Sequence, residues 1–172
     1  MLTKDKYFPW WLILVATGFV TACSDNGREQ THYNSKLQPS KSVSLTVYKS
    51  PTCGCCGKWV EHVEKAGFHP LVKHPNNLNT IKNQFNIEPQ YQSCHTAVHG
   101  EYVFEGHIPV KFIQQFLDNP PAGATGLAVP AMPAGSPGME VGQRFTPYTI
   151  YQLNADGEPS VFASVSRMEE QY

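Results

Sequence analysis

Residues 43–47 alternate between apolar and small polar side chains. This period of two predicts a β-strand with one buried face. Apolar residues then recur at helical spacing in residues 53–66, and Gly67 ends the pattern, which predicts a helix directly after the strand. The apolar positions of that helix are Trp59, Val60, Val63 and Ala66.

The next segments continue the alternation of strands and helices. Residues 68–73 predict a second strand, which Pro70 places at a sheet edge, and residues 78–85 predict a second helix. Residues 96–104 predict a hairpin, and a third helix begins after Pro109. The order β-α-β-α-β-β-α is that of a thioredoxin-like α/β fold.

Residues 120–142 interrupt this regular order. They are rich in Pro, Gly and Ala, lack a period and contain Met132 and Met139. We expect a functional or covering loop, because the segment is too long for an ordinary connection. Residues 148–153 and 160–165, joined by a turn containing Asp-Gly, predict an additional C-terminal β-hairpin.

The N-terminal segment predicts a targeting signal. Residues 1–22 combine Lys4 and Lys6, an apolar stretch and small residues. A transmembrane helix is the weaker interpretation, because the charge-free run is short and contains Pro9 and Gly18.

Val20-Thr21-Ala22-Cys23 resembles a bacterial lipobox. The resemblance implies cleavage before Cys23 and lipidation of Cys23. Ser24, where an Asp would indicate retention in the inner membrane, favours an outer-membrane lipoprotein that faces the periplasm. The alternative is an ordinary secretory signal with an incidental cysteine. Residues 23–42 are polar and predict a flexible tether, which leaves residues 43–172 as one domain.

Composition excludes some classes of function. The 172 residues include 13 Lys and Arg against 14 Asp and Glu, so the chain lacks the excess positive charge that nucleic-acid binding requires. A hydrophobic content of 41% is sufficient for one packed core.

Three cysteines lie close together where the first strand meets the first helix. Cys53 and Cys56 form a CxxC pair of the kind that thiol–disulfide oxidoreductases use, but Cys55 adds a third sulfur. Three sulfurs at a helix N-terminus favour binding of a soft metal ion, because the helix dipole stabilises thiolates. A structural disulfide with one buried thiol is the alternative.

Further candidate ligands follow in the sequence. Cys94 and His95 begin the predicted hairpin strand that pairs with the first strand, so we expect both near the three cysteines. Adjacent strand residues point to opposite faces, so both can be ligands only at a strand end or bulge. The alternative role of Cys94 is that of a buried structural residue. His107 is a further candidate ligand, and its alternative role is that of a capping or surface residue. Met132 could add a thioether, which favours Cu(I); the usual zinc spacings are absent.

From residue 45 to about residue 163 the chain resembles the metal-binding family typified by the copper-resistance protein CopG. The stretches that carry this resemblance are residues 48–59, which contain Cys-Gly-Cys-Cys, and residues 93–96, 105–109, 126–133 and 135–140. The resemblance implies a thioredoxin-like periplasmic protein that binds copper through its CxCC motif, as a multinuclear cluster and with a copper redox role. The predicted lipid anchor departs from this family's pattern.

Our leading hypothesis from the sequence is therefore a periplasm-facing protein that sequesters, transfers or redox-cycles copper. Its metal ligands would be Cys53, Cys55, Cys56, Cys94, His95, His107 and Met132, and its partners copper ions and copper-efflux or copper-chaperone proteins. The alternatives are a thiol–disulfide oxidoreductase that uses Cys53 and Cys56 and a disulfide-stabilised envelope adaptor.

Overall fold

A computed structural model describes residues 43–172 of the chain. The predicted signal peptide, the lipidation site at Cys23 and the tether lie outside these residues and stay predictions. Among residues 43–172, no helix combines the length and the apolar character that crossing a bilayer requires.

The described residues form one seven-stranded sheet with three α-helices. The strands are β1 (Ser44–Lys49), β2 (His69–Lys73), β3 (His95–His99), β4 (Tyr102–Glu105), β5 (Ala124–Ala128), β6 (Tyr148–Asn154) and β7 (Ser160–Val165). The helices are α1 (Gly54–Lys65), α2 (Leu78–Gln84) and α3 (Val110–Asp118). Two short 3-10 turns, Pro89–Tyr91 and Met168–Gln171, complete the order.

The strands are arranged in the order β2-β1-β3-β4-β5-β6-β7. β1 is parallel to β2 and antiparallel to β3, which places the start of β3 beside the end of β1. The α/β class, the element order from β1 to α3, the edge position of β2 and the C-terminal hairpin are as predicted. The thioredoxin-like relationship stays a prediction.

Two apolar clusters cover the two faces of the sheet. The larger cluster packs Trp59 of α1 and Ile113 and Phe116 of α3 against Leu45 and Phe104 of the strands. A smaller cluster on the other face, beside α2, consists of Ile87, Val103, Ala128 and Leu153. Trp59 is fully buried, and its indole N–H donates to the Ile108 carbonyl at 2.9 Å.

The main departure from the predicted fold is β5. The prediction treated residues 120–142 as one irregular loop, but Ala124–Ala128 pair in parallel with β4. Leu127 and Ala128 are both buried, so the strand shows no alternation of polar and apolar residues. Gly126 gives no strand signal either, yet it is needed: a Cβ at this position would lie 1.8 Å from the Val103 carbonyl oxygen.

Candidate metal centre

The turn between β1 and α1 places three cysteines at a helix N-terminus. Cys53 is the N-cap of α1, and its Sγ accepts the backbone N–H of Cys56 at 3.4 Å. A sulfur therefore occupies the position where Ser or Asp usually caps a helix. The unpaired N–H groups and the helix dipole at this end stabilise negative charge on sulfur.

Cys53 and Cys56 form a disulfide, while Cys55 and Cys94 are free thiols among the described residues. The Sγ of Cys55 lies only 3.5 Å from the Sγ of Cys53. The turn thus holds a reducible disulfide with a third sulfur beside it.

Cys94 brings a fourth sulfur to this turn. The pairing of Lys49 with His95 aligns the start of β3 with the end of β1, and Cys94 immediately precedes that start. All four Sγ atoms consequently lie within 4.8 Å of one another. The structure brings together the four cysteines that the sequence analysis expected to converge; their role as metal ligands stays a prediction.

His107 faces Cys94 with a defined tautomer. Its Nε2 lies 3.0 Å from the Cys94 Sγ, and its Nδ1 lies 2.7 Å from the Pro137 carbonyl oxygen. Because a carbonyl oxygen only accepts, Nδ1 carries the proton and Nε2 presents its lone pair to the sulfur. Burial lowers the pKa of His107, which favours this neutral form. Complete burial also excludes the surface role, and Pro109 is the residue that caps α3.

His95 lies on the other side of Cys94. Its Nδ1 is 3.5 Å from the Cys94 Sγ, and its ring packs on Trp59 with centroids 4.4 Å apart. The ring is fully buried, and its Nε2 has no hydrogen-bond partner among the described residues. Burial is the main reason that the pKa of His95 lies well below its usual value, and the nearby His107 and lysines lower it further. His95 is the first residue of β3. Cys94 and His95 therefore lie at a strand end, where both side chains can face one site.

Cys94, His95 and His107 thus form a second group of possible ligands, again within 4.8 Å of one another. Cys94 is common to this group and to the four sulfurs. Burial, together with the neighbouring Cys55, raises the pKa of Cys94 to about 12. A metal ion that binds here would have to displace the Cys94 proton.

Met132 differs from these buried residues, since 48% of its side chain is exposed. The preceding residue, Ala131, donates its N–H to the Gln92 carbonyl at 3.2 Å, and its carbonyl accepts from the Ser93 hydroxyl. The Met132 segment is therefore fastened next to the turn that carries Cys94. A ligating role for Met132 stays a prediction.

Sequence analysis missed a buried polar cluster behind the site. Glu105 binds the Lys82 ammonium, the Thr96 hydroxyl at 2.6 Å and the backbone N–H of Ser93 at 2.6 Å. Burial raises the pKa of Glu105, while the adjacent Lys82 opposes that effect. By holding Ser93, the carboxylate fixes the residue next to Cys94. A single Lys on a short helix gives no sequence signal of burial.

The sequence analysis expected a functional or covering loop here, but it did not identify the residues through which the loop contacts the site. Pro137 orients His107, and Gly138 packs against the first turn of α1, where a Cβ would lie 2.7 Å from the Cys55 carbonyl oxygen. The loop therefore covers the cysteine turn.

Comparison with known proteins identifies relatives of this chain. A family model described as "Protein of unknown function, DUF411" matches residues 91–139. No curated protein sequence matches the chain. The solved structure "Copper resistance protein copG- Form 2" is 34% identical, with a TM-score of 0.70, covering 73% of this chain and 99% of its own. "Copper resistance protein copG- Form 1" is also 34% identical, with a TM-score of 0.69. The match covers 73% of this chain and 98% of that one. With this identity over nearly the whole length of both relatives, the chain belongs to the family of the copper resistance protein CopG.

Proposed function

We propose that this protein binds Cu(I) as cargo through the thiolates of Cys53, Cys55, Cys56 and Cys94 and the imidazole of His107. The observation that carries this proposal is the convergence of four Sγ atoms within 4.8 Å. Thiolate sulfur selects soft ions such as Cu(I). The names of the related structures add support for copper over zinc.

The imidazoles complete the donor set. His107 directs the lone pair of Nε2 toward Cys94. A neutral imidazole with such an unprotonated nitrogen is the form in which histidine binds metals. The Pro137 carbonyl on Nδ1 provides the second hydrogen bond that orients a ligating histidine. The unpaired Nε2 of His95 is a further buried donor in the same group.

Copper loading requires reduction of the disulfide. A dithiol reductant supplies two electrons and two protons, which converts the Cys53–Cys56 disulfide into two thiols. Binding of Cu(I) then releases the thiol protons. Oxidation of the Cys53–Cys56 dithiol back to the disulfide releases two electrons and two protons, which reduces two Cu(II) ions to Cu(I), so the site can redox-cycle copper while the dithiol reductant restores the thiols. The reduced site can also sequester Cu(I) or pass it to copper-efflux or copper-chaperone proteins.

The test is an anaerobic Cu(I) titration of the reduced chain against a coloured Cu(I) chelator, followed by elemental analysis. We expect tight uptake of more than one copper ion per chain, since bridging thiolates can share metal ions. Cys55→Ser is expected to lower the copper-to-protein ratio, whereas the control Cys23→Ser, a cysteine outside residues 43–172, is expected to retain it. Equal ratios for the two variants would contradict the proposal.

The disulfide at the helix N-terminus also favours a second function, thiol–disulfide exchange by Cys53 and Cys56. This function predicts insulin reduction that Cys55→Ser retains and Cys53→Ser abolishes. A chain that reduces insulin and takes up no copper would establish this alternative.

The proposed location is the periplasmic face of the outer membrane, with a lipid anchor on Cys23. The support for this location is the sequence Val20-Thr21-Ala22-Cys23 after an apolar segment. Labelled palmitate should be incorporated into the wild-type chain and not into Cys23→Ser. Incorporation into both chains would refute an anchor at Cys23.

A further inference from the structure

Gln171 is a fully buried glutamine in the second 3-10 turn, far along the chain from the cysteines. Its Nε2 donates to the Gly135 carbonyl at 2.9 Å and to the Met168 carbonyl at 3.2 Å. Its Oε1 accepts from the Tyr148 hydroxyl at 2.6 Å. Both amide hydrogens and the amide oxygen are thus used, which fixes the side chain in one orientation.

Gly135 belongs to residues 133–140, the part of the irregular segment that contacts the site. We call these residues the covering loop. The loop is folded on itself, because the Gly135 N–H donates to the Met139 carbonyl at 3.0 Å. Two residues after Gly135, Pro137 accepts the Nδ1–H of His107 at 2.7 Å. The anchored carbonyl and the orienting carbonyl therefore lie in one compact turn.

Glu140 stabilises the other end of the same loop. Its carboxylate accepts the Gly138 N–H at 2.8 Å. Gly138 is the residue that packs against the Cys55 carbonyl. Through Gly135, the 3-10 turn thus holds a compact loop that contacts both His107 and the cysteine turn.

We propose that Gln171 is a positioning residue for His107, acting through the covering loop. Gln171 fixes the position of Gly135, which keeps the Pro137 carbonyl hydrogen-bonded to Nδ1–H of His107. The lone pair on Nε2 of His107 then remains directed at the Cys94 sulfur. Gln171 lies outside residues 91–139, the segment that the family model matches. Its consequences for copper rest on the proposed function, whereas its effect on the His107 tautomer does not.

The first test measures the His107 tautomer by 15N NMR in the metal-free, disulfide-bonded chain at neutral pH. The wild-type chain should show a protonated Nδ1 and an unprotonated Nε2. Gln171→Met removes both amide functions and should raise the ratio of the Nε2–H to the Nδ1–H tautomer by about two- to tenfold, the effect of one net hydrogen bond. Gln115→Met makes the same change on an exposed position of α3 and should leave the ratio unaltered.

Tyr148→Phe provides a milder second variant, because it deletes only the hydroxyl that orients Gln171. We expect a smaller change in the same direction. Wild-type tautomer ratios in Gln171→Met, or in Tyr148→Phe if only that variant folds, would overturn the proposal.

The second test measures release of Cu(I) from the loaded, reduced chain to a chelator. Gln171→Met should bind the same number of copper ions as the wild type and release them about two- to tenfold faster. An unchanged release rate from loaded Gln171→Met would overturn the predicted link to copper. Absence of copper uptake by the wild-type chain would refute the proposed function, and the tautomer measurement alone would then decide the role of Gln171.

Discussion

Lys82 of α2 and Glu105 at the end of β4 form an ion pair that is almost completely buried. Thr96 bonds to both members of the pair, and its side chain lies on the opposite face of β3 from that of His95. Glu105 also accepts the Ser93 N–H, so the pair supports, from behind, the turn that carries Cys94.

The first prediction concerns the stability that this pair controls. Lys82→Met leaves the Glu105 carboxylate buried without its counter-ion, and we expect it to lower the free energy of unfolding by about 3–5 kcal/mol. Lys82→Met combined with Glu105→Leu should lose clearly less than the sum of the two single variants, because no buried charge remains. Urea denaturation of the four chains measures this coupling.

A matched control is the exposed Arg167–Glu170 pair. Arg167→Met should leave the urea midpoint almost unaltered, since water solvates both charges. Additive effects at Lys82 and Glu105 would show that the pair is not coupled.

The second prediction concerns the contact between Gly138 and the cysteine turn. Gly138 has a φ of +87°, and a Cβ would lie 2.7 Å from the Cys55 carbonyl oxygen and 2.8 Å from the backbone nitrogen of Trp59. Gly142 also has a positive φ, +58°, but a Cβ there would meet no described atom within 4 Å. Gly142→Ala should therefore cost about 1–2 kcal/mol from backbone strain alone.

Gly138→Ala should cost more than Gly142→Ala and should also increase the alkylation rate of Cys55, because the covering loop must move away. Thermal unfolding and mass spectrometry of the alkylated chain measure both effects. Equal stability losses, with unaltered alkylation of Cys55, would contradict the contact between loop and turn.

The sequence pattern was sufficient to predict the elements that carry the site. The CGCC turn lies between an alternating strand and an amphipathic helix, and both signals are local. The pairing of β1 with β3 then determines that Cys94 meets the turn. Convergence of the sulfurs could therefore be predicted before any distance was known.

The parts that were missed depend on long-range contacts. Lys82 is a typical exposed residue by its type, and only the fold places it against Glu105. The same holds for Gln171, whose partners are 36 and 23 positions away in the chain. Local periodicity carries no information about such pairs.

The third prediction concerns the acid sensitivity of the metal-free chain. Burial lowers the pKa of His62 below its ordinary value, and its Nε2 accepts the Val110 N–H at the start of α3, which requires an unprotonated nitrogen. The unfolded chain, with a histidine pKa of about 6.5, therefore binds the proton more readily than the folded chain. The stability that His62 contributes is present above about pH 6.5 and is lost as the pH falls toward the folded-state pKa.

His95 and His107 act in the same direction, because burial lowers the pKa of each. His62→Gln should thus reduce the loss of stability between about pH 6.5 and 5 without abolishing it. Urea midpoints across this range measure the slope. His69→Gln, at an exposed position of β2, is the control and should retain the wild-type slope; a wild-type slope in His62→Gln as well would refute the assignment.

The fourth prediction distinguishes the two free thiols. Because burial and the adjacent Cys55 raise the pKa of Cys94 to about 12, its thiol is almost entirely protonated at pH 8. Iodoacetamide reacts with thiolates, so in the disulfide-bonded chain Cys55 should be alkylated well before Cys94. Peptide mapping by mass spectrometry at timed intervals measures the order. In urea the burial is lost and the two cysteines should react at similar rates, whereas faster reaction of Cys94 in the folded chain would mean that its thiol is not shielded as described.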